Sequence, residues 1–429
     1  MRVYDLYFSP IVWLLMCGFA PVAQADDWPS WRGANGSGTS VETKVPVQWK
    51  EPEGIRWKVE LPGVGTSCPV IVGNSLYLTS SSGRTHDQLN VLCYDISNGS
   101  LRWHSKFFGT PTPVFTMFPP ARGHAMPSVV ANADSVIALF STGELFSLDA
   151  NGRLQWTRSL AADYGALDND YGIAASPVLL NDRVLLQIDL TEGSYVLAVS
   201  LKDGRTLWKS ERHEVSDNWS TPVVATIDSK HVLLCAGSKR LEAIDSASGK
   251  SMWTIDGLAR LCCPTPILWK DSVIVTSGPG GNVQRIRLPE KADAGPRQLW
   301  QSVKGAGFVP SAICVEDLYF YGSDRGIVSC LDLNSGEELW QQRMGTAFRG
   351  SPVAAEGRVY FTTLDGKVTV IKAARQYEEV AVNDLGEQVS ASPAIADRAL
   401  FFRGEKHLIC VGSKRFPVAR LPASGRFGF

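Results

Sequence analysis

One short unit recurs along most of this chain and limits its fold more than any other feature. In its clearest copy, Asp332-Leu-Asn-Ser-Gly336-Glu-Glu-Leu-Trp340, an Asp ends an apolar strand, a turn follows, and a second strand carries a Trp. The glycine supplies the positive φ of the turn, and the Asp side chain bonds back to its own backbone. Related copies lead to Trp103, Trp156, Trp208 and Trp253. The unit therefore predicts a series of β-hairpins.

A second signal runs in phase with the first, because each repeat opens with a small residue and a proline. The opening prolines are Pro69, Pro127, Pro177, Pro222, Pro266, Pro310, Pro352 and Pro393. They lie roughly 45 residues apart, which is the size of a four-stranded propeller blade. Proline is tolerated at the first position of a strand, and a Trp is large enough to fill the wedge between blades.

These two signals predict an all-β fold, an eight-bladed β-propeller of four-stranded antiparallel blades with almost no helix. Residues 26–54 are a Gly- and Pro-rich lead-in, expected on the surface, and residues 55–429 are the propeller. The strand around Trp57 has no opening of its own, and the blade that begins at Pro393 lacks a fourth strand. We expect the N-terminal strand to complete that last blade and close the ring, which removes exposed sheet edges. The alternative outer strand is Val418 to Leu421.

The first 25 residues have the features of a secretory signal peptide. An apolar run from Ile11 to Ala20 precedes the small-x-small sequence Ala23-Gln-Ala25, so cleavage before Asp26 is predicted. The protein is therefore expected in the periplasm or outside the cell. Cys17 lies in a poor match to a lipoprotein box, which leaves lipid anchoring as the lesser alternative. No later segment is long and apolar enough to span a membrane.

The composition narrows the class of partner. Lys and Arg total 42 against 43 Asp and Glu, a net charge of −1, which gives no support to a nucleic-acid partner or a polybasic membrane contact. A monomer is expected. Most of the cysteines after Cys17 lie in equivalent apolar strands, where buried free thiols are expected. The adjacent pair Cys262-Cys263 is the exception.

The repeat also predicts where binding residues lie, because the loop entering each innermost strand sits at one mouth of the central channel. Three residues before each opening proline stand Thr66, His124, Ala174, Trp219, Cys263, Gly307, Arg349 and Ser390. His124, Trp219 and Arg349 are candidates for holding an anionic or planar ligand. Asp170, in Asp168-Asn-Asp-Tyr171, is a candidate oxygen ligand for a cation. The alternative is that mixed residues simply fill the mouth, as in any propeller.

Together, the Trp-ended repeats and the Ser-Pro openings resemble the pyrroloquinoline-quinone (PQQ)-type β-propeller repeat. That repeat is shared by quinoprotein alcohol dehydrogenases and by the outer-membrane-assembly lipoprotein propeller. The lead-in Trp28-Pro-Ser-Trp31-Arg-Gly33 is similar to that of exported quinone-binding-like propeller proteins. The resemblance covers residues 28 to about 414 and concerns structural positions, so it implies the fold more than an activity.

The resemblance also gives the pair Cys262-Cys263 a possible role. Quinoprotein dehydrogenases carry an adjacent Cys pair that forms a disulfide ring over the quinone, and this pair likewise precedes a channel strand. However, the chain shows no match to the calcium-binding acids or the catalytic Asp of those enzymes, and no haem-attachment motif. It also has no standard catalytic or metal-binding signature. No catalytic residue, metal ligand or cofactor is therefore predicted, and PQQ with calcium remains an alternative.

Three functions follow from the sequence. The first is an exported, non-catalytic scaffold that binds protein or envelope components through the loops at the channel mouth. The second is a PQQ-dependent dehydrogenase that uses Cys262 and Cys263. The third is a propeller that binds a small ligand or glycan at the same mouth.

Overall fold

The computed structural model describes residues 27–110, 123–291 and 294–413. The predicted signal peptide and the alternative strand Val418 to Leu421 lie outside these residues. In the described part of the chain the only helix is α1 (Leu160–Tyr164), and all other regular elements are strands. No helix among the described residues is long and apolar enough to cross a membrane.

The strands form eight sheets of four strands each, with one short strand added to one of them. Blade 1 contains β3 (Val70–Val72), β4 (Ser75–Ser82), β5 (Gln88–Asp95) and β6 (Leu101–Phe108). Blade 2 contains β7 (Val130–Ala131), β8 (Ser135–Leu139), β9 (Glu144–Asp149) and β10 (Leu154–Ser159). Blade 3 contains β11 (Val178–Leu180), β12 (Arg183–Ile188), β13 (Tyr195–Ser200) and β14 (Thr206–Glu211). Blade 4 contains β15 (Val223–Ile227), β16 (Lys230–Gly237), β17 (Arg240–Asp245) and β18 (Ser251–Asp256).

The second half of the ring repeats this order. Blade 5 contains β19 (Ile267–Trp269), β20 (Ser272–Thr276), β21 (Val283–Arg287) and β22 (Arg297–Ser302). Blade 6 contains β23 (Ile313–Val315), β24 (Leu318–Gly322), β25 (Ile327–Asp332) and β26 (Glu338–Arg343). Blade 7 contains β27 (Val353–Ala355), β28 (Arg358–Thr362), β29 (Lys367–Lys372) and β30 (Glu379–Asp384), and β1 (Thr39–Ser40) runs parallel to β27. Blade 8 contains β31 (Ala394–Ala396), β32 (Ala399–Arg403), β33 (His407–Val411) and β2 (Ile55–Glu60).

The N-terminal strand closes the ring as predicted. Strand β2 pairs antiparallel with β33, with Trp57 opposite Cys410, so the first blade-forming strand of the chain completes the last sheet. Strand β31 of blade 8 lies beside β3 of blade 1. The predicted fold class, an eight-bladed all-β propeller of four-stranded antiparallel blades, is confirmed.

A belt of hydrogen bonds joins neighbouring blades around the channel. In each link a backbone N–H donates to the side chain of the equivalent residue in the next blade. The links run from Cys68 to Ser128 (2.8 Å), Ser128 to Ser176 (3.0 Å), Ser176 to Thr221 (2.9 Å), Thr265 to Ser311 (2.9 Å), Ser311 to Ser351 (2.9 Å), Ser351 to Ser392 (2.7 Å) and Ser392 to the Cys68 sulfur (3.1 Å). At the junction of blades 4 and 5, the hydroxyl of Thr265 accepts the indole N–H of Trp31 at 2.8 Å.

The belt explains why a small hydroxyl residue stands beside each opening proline. The innermost strands crowd together at the axis, so only a short side chain fits there. Buried backbone N–H groups must be paired, and a proline in the same turn has no N–H that would need a partner. Cys68 takes the place that Ser or Thr holds in the other blades.

At the rim of the ring, five of the seven outer-strand Trp rings dock on the hairpin glycine of the next blade in the described residues. A Cβ added to Gly336 would stand 2.7 Å from the Trp300 ring, and four other hairpin glycines meet a Trp in the same way, at 2.5 to 2.7 Å. The indole N–H of Trp300 also donates to the Leu333 carbonyl at 2.9 Å. The glycine is thus required twice, because its φ is +77° and because the ring leaves no room for a side chain.

Blade 7 departs from this pattern in its outer strand. Ala381 stands opposite Val370, which is the register position that Trp340 holds opposite Cys330 in blade 6. Trp49 from the lead-in packs in the same apolar cluster as Ala381, and its ring lies 6.1 Å from that of Phe402 in blade 8. A tryptophan supplied from outside the repeat therefore occupies the wedge between blades 7 and 8.

The lead-in was expected on the outer surface, but the structure shows that its first part, residues 28–38, crosses the channel. Trp28 exchanges two backbone hydrogen bonds with Ile71 of blade 1. Arg32 is only 2% exposed and donates to the carbonyls of Ala312 (2.5 Å) and Ser37 (2.7 Å). Burial lowers the pKa of Arg32 to about 10. Because the segment contacts blades on opposite sides of the ring, it blocks the channel and acts as an internal brace.

The docking of Trp on glycine predicts the effect of two substitutions. Gly336→Ala and Gly357→Ala both place a side chain at positive φ, +77° and +69°, but the space around Gly357 is open within 4 Å. Backbone strain should lower the free energy of unfolding of each variant by about 1–2 kcal/mol. Gly336→Ala should lose about 1–3 kcal/mol more, since the methyl group collides with Trp300. Equal losses in urea unfolding would contradict this account of the wedge.

The belt predicts that Ser351→Ala destabilises the ring. The substitution leaves the buried N–H of Ser311 without an acceptor, which should lower the free energy of unfolding by about 1–3 kcal/mol. Ser351→Thr keeps the hydroxyl, as Thr221 and Thr265 do in blades 4 and 5, and should lose at most about 1 kcal/mol. Thermal and urea unfolding of both variants measure the difference; a neutral Ser351→Ala would remove the belt as a source of stability.

Candidate functional site

A cavity of about 800 Å³ lies in the channel on the side where the innermost strands begin. We call it the channel cavity. Trp31 of the lead-in lines it from within the channel, and belt residues such as Ser128 and Ser351 form its wall. The loop of residues 160–173 adds Leu167, Asp168 and other residues to its lining. Its size suits a small molecule or a side-chain cluster of a partner protein.

A ring of eight lining residues comes from equivalent positions in the eight blades. Counted two positions before each belt residue, they are Thr66, Met126, Ala174, Trp219, Cys263, Val309, Arg349 and Ser390. The sequence-based ring placed Gly307 here, and the structure corrects that position to Val309. In blades 2 and 6 the belt serine follows its proline instead of preceding it, so counting from Pro127 and Pro310 shifts the register by two residues. His124 still lines the cavity, beside Met126.

Arg349 brings the positive charge expected at this mouth. One of its guanidinium nitrogens lies 3.0 Å from Asp324, whose other oxygen accepts the backbone N–H of Phe308 at 3.2 Å. Burial raises the pKa of the Asp324 carboxyl above its usual value, and the Arg349 charge opposes that change. The pair fixes the position of Arg349 on the cavity wall.

Trp219 is held in place on another part of the wall. Its indole N–H donates to Asn169 (2.9 Å) and to the Gly172 carbonyl (3.0 Å). The rings of Tyr171 and Phe308 meet it edge-to-face, with centroids 5.2 and 6.4 Å away. These contacts form an ordered aromatic surface that can receive a flat or apolar group.

His124 and Asp170 have different positions from each other. His124 is buried, its backbone N–H donates to Ser81 at 2.9 Å, and its ring lies 3.4 Å from the Ser141 hydroxyl. Asp170 is exposed and is not among the residues that line the cavity, so the structure does not bring it together with the other candidates. Among the described residues, no group of three or more His, Cys, Asp or Glu is placed to hold a metal ion.

The adjacent cysteines point to different environments. Cys263 lines the cavity, whereas Cys262 is fully buried in the wall behind it, with its thiol 3.8 Å from the Thr276 carbonyl. Burial raises the pKa of Cys262 to about 12, so it is a neutral thiol. The two do not form a disulfide with each other. The structure therefore separates the pair, and only Cys263 is placed to meet a ligand.

The wall of the cavity carries a set of hydroxyl donors that sequence reasoning missed. They are the belt residues Ser128, Ser176, Thr221, Thr265, Ser351 and Ser392. Each oxygen already accepts an N–H bond. A hydroxyl that has accepted one bond still has its own hydrogen to donate. The signal was present in the sequence as Ser or Thr beside each proline, but it suggested a strand opening rather than a binding surface.

This geometry defines a class of protein: an eight-bladed propeller with Trp-docked repeats, a braced channel and a deep cavity. The family model described as outer membrane protein assembly factor BamB matches residues 42–187, 192–290 and 287–411. Because the match covers most of the chain, the chain belongs to that family, and the predicted PQQ-type repeat is confirmed.

Individual relatives are distant. The outer membrane protein assembly factor BamB of Yersinia pestis is 22% identical over 277 residues, which cover 64% of this chain and 63% of that protein. This chain thus spans less than two thirds of that relative. The BamB crystal structure from Moraxella catarrhalis superposes with a TM-score of 0.59 at 14% identity, covering 83% of this chain and 99% of that one. A europium-containing methanol dehydrogenase superposes with a TM-score of 0.65 at 12% identity, covering 90% and 89%. At such identities the superpositions show the fold alone.

Proposed function

We propose that this protein is a non-catalytic scaffold of the cell envelope that acts in outer membrane protein assembly and binds another protein through its channel-mouth loops. The family match over the propeller is the observation that carries the proposal. The predicted signal peptide supports a location in the periplasm, or at a membrane if Cys17 carries a lipid. A monomeric propeller with a protein partner is the expected state.

The mouth offers the surface that such a partner needs. The loop of residues 160–173 stands at the mouth, with Asp168 and Asp170 exposed there, while Trp219 and Tyr171 lie just inside. A rigid scaffold that presents loops of mixed charge around an aromatic centre resembles the layout of protein interfaces, with a polar rim and a buried core.

The experiment is capture of detergent-solubilised envelope proteins on the purified mature chain. We expect outer membrane assembly proteins to be retained, and the combined variant Asp168→Lys and Asp170→Lys to weaken their binding about tenfold, since rim charges guide association. Asp203→Lys is the matched control, because Asp203 is exposed in the β13–β14 hairpin turn, away from the mouth. Retention of the same proteins by the mouth variant would contradict the proposed surface.

A second candidate function rests on the hydroxyl donors and Arg349. A wall of donors beside a guanidinium fits a small molecule rich in oxygen acceptors, and Trp219 fits a flat body. Such a ligand, which includes glycans with acidic groups, would bind within the cavity and not on the channel-mouth loops. His124 and Cys263 lie close enough to the same space to contact it.

The residues of this cavity fit the PQQ alternative less well. Planar shape and carboxylates agree with Trp219 and Arg349. However, Cys262 points into the wall behind Cys263, so the pair does not present the disulfide ring that the resemblance implied. The acids available near the mouth also do not converge, since Asp170 lies outside the cavity. The residues present therefore do not fit that cofactor, and their geometry supports no dehydrogenase step.

Calorimetric titration separates these possibilities. The probes are benzene-1,3,5-tricarboxylate, galacturonate and PQQ with calcium. For the second candidate we expect one carboxylate probe to bind and Arg349→Ala to weaken it at least tenfold, because a charge-assisted bond is lost. Arg343→Ala, on the exposed outer strand β26, is the control. No binding by the carboxylates would exclude this function, and stoichiometric PQQ binding would reinstate the dehydrogenase.

A further inference from the structure

The outer strand of blade 7 differs from the other outer strands in what it exposes. Strand β30 (Glu379–Asp384) is the last strand of its sheet, so one side of its backbone has no strand beside it. Val380 and Val382 are 39% and 52% exposed. Of the outer strands in the described residues, β30 alone has two exposed large apolar side chains two positions apart.

Comparison between blades shows that Val382 is unusual for its position. It follows Ala381, the residue that replaces the repeat Trp. The residue after the Trp is polar in every other blade: Lys58, His104, Thr157, Lys209, Thr254, Gln301 and Gln341. An apolar residue therefore stands in blade 7 where the repeat otherwise keeps the edge hydrophilic.

Strand β30 also lacks the charges that protect a sheet edge. Natural edge strands are commonly shielded by Lys or Arg, which discourage pairing with another strand. Within the part of the chain that the structure describes, six of the eight outer strands contain a Lys or Arg, whereas β18 and β30 do not. The ends of β30 instead carry the carboxylates of Glu379 and Asp384, both exposed.

The face of β30 opposite Val380 and Val382 is held in place by the lead-in, so the strand is already ordered before any partner binds. The Asn383 side chain accepts the backbone N–H of Trp49 at 2.8 Å and donates to the Val47 carbonyl at 3.0 Å. Ala381 packs against the apolar cluster that contains Trp49. The lead-in therefore holds this strand in place while leaving its edge uncovered. Binding of a partner would then cost little conformational entropy in β30.

We propose that β30 binds an extended segment of a partner polypeptide as a fifth strand of blade 7. The unpaired backbone groups at the edge require a partner with the same strand geometry. Val380 and Val382 select apolar side chains at alternate positions, and Glu379 and Asp384 select Lys or Arg at the two ends of the segment. The site is separate from the channel mouth and extends the proposed function to a second kind of contact.

A second copy of this chain fits the edge poorly. An antiparallel pairing that places Val380 opposite Val382 of the other copy also places Glu378 opposite Asp384. Like charges directly opposite each other destabilise a strand pair. Lys372 already pairs with Glu378, which reduces but does not reverse the acidic character at that end. A segment with basic ends avoids this repulsion.

The test uses fluorescence anisotropy with the purified full-length mature protein. The probe is a labelled peptide of alternating Val and Thr with two Lys at each end; the matched peptide has Glu in place of Lys. We expect the basic peptide to bind and Val382→Lys to weaken it at least tenfold, since it adds the positive charge found on other edges. Thr254→Lys, the same change at the equivalent position of β18, should leave binding unchanged.

Other results would contradict the edge site. Equal binding of both peptides, or unchanged binding by Val382→Lys, would overturn the proposal. Self-association that Val382→Lys abolishes, seen by analytical ultracentrifugation, would assign the edge to a second copy and also overturn it. The mouth variant Asp168→Lys with Asp170→Lys should bind the peptide normally, so failure here is distinguishable from failure of the proposed function.

Discussion

The belt of backbone-to-hydroxyl bonds at the axis is the interaction on which the rest of this structure depends. Backbone N–H groups donate to the next blade at seven junctions, from Cys68 round to Ser392 and back to Cys68, and at the junction of blades 4 and 5 the acceptor Thr265 is bonded by the Trp31 indole instead. A ring of this kind holds only if every blade contributes a short acceptor at the same height. That requirement sets the register of the innermost strands, and the register in turn decides which residues face the channel cavity.

At the rim of the ring, neighbouring blades are joined by apolar packing instead of hydrogen bonds to hydroxyl groups. A Trp ring of one blade packs on a hairpin glycine of the next, and the clearance at Gly336 is too small for any other residue. Where blade 7 has Ala381, the lead-in supplies Trp49, so the same wedge is filled from a distant part of the chain. This substitution leaves β30 with a different outer surface from the other blades. The replacement of the repeat Trp by Ala381 thus coincides with an unusual edge on the same strand.

The cavity shows how one set of residues can serve stability and recognition together. Ser128, Ser176 and their equivalents accept a bond from the backbone on one side and face the cavity on the other. Arg349 is positioned by Asp324, and Trp219 by Asn169. Recognition of a partner or ligand would therefore take place on a surface whose geometry is already fixed by the fold, which reduces the entropy lost on binding.

The sequence alone determined the number of blades, their antiparallel strands and the closure by the strand around Trp57. These follow from local signals that repeat, namely Gly in the hairpin, Trp in the outer strand and Pro at the opening. It also placed Trp219, Cys263 and Arg349 at one mouth, because residues at equivalent repeat positions share a height in the ring, whereas His124 lines the same cavity from a position two residues before its blade's equivalent, Met126. Only the tertiary structure decided that Val309 replaces Gly307, that Cys262 turns into the wall, and that the lead-in braces the channel. Those features depend on contacts between residues far apart in the chain, as between Arg32 and Ala312, and no local pattern encodes which distant carbonyl a buried guanidinium will reach.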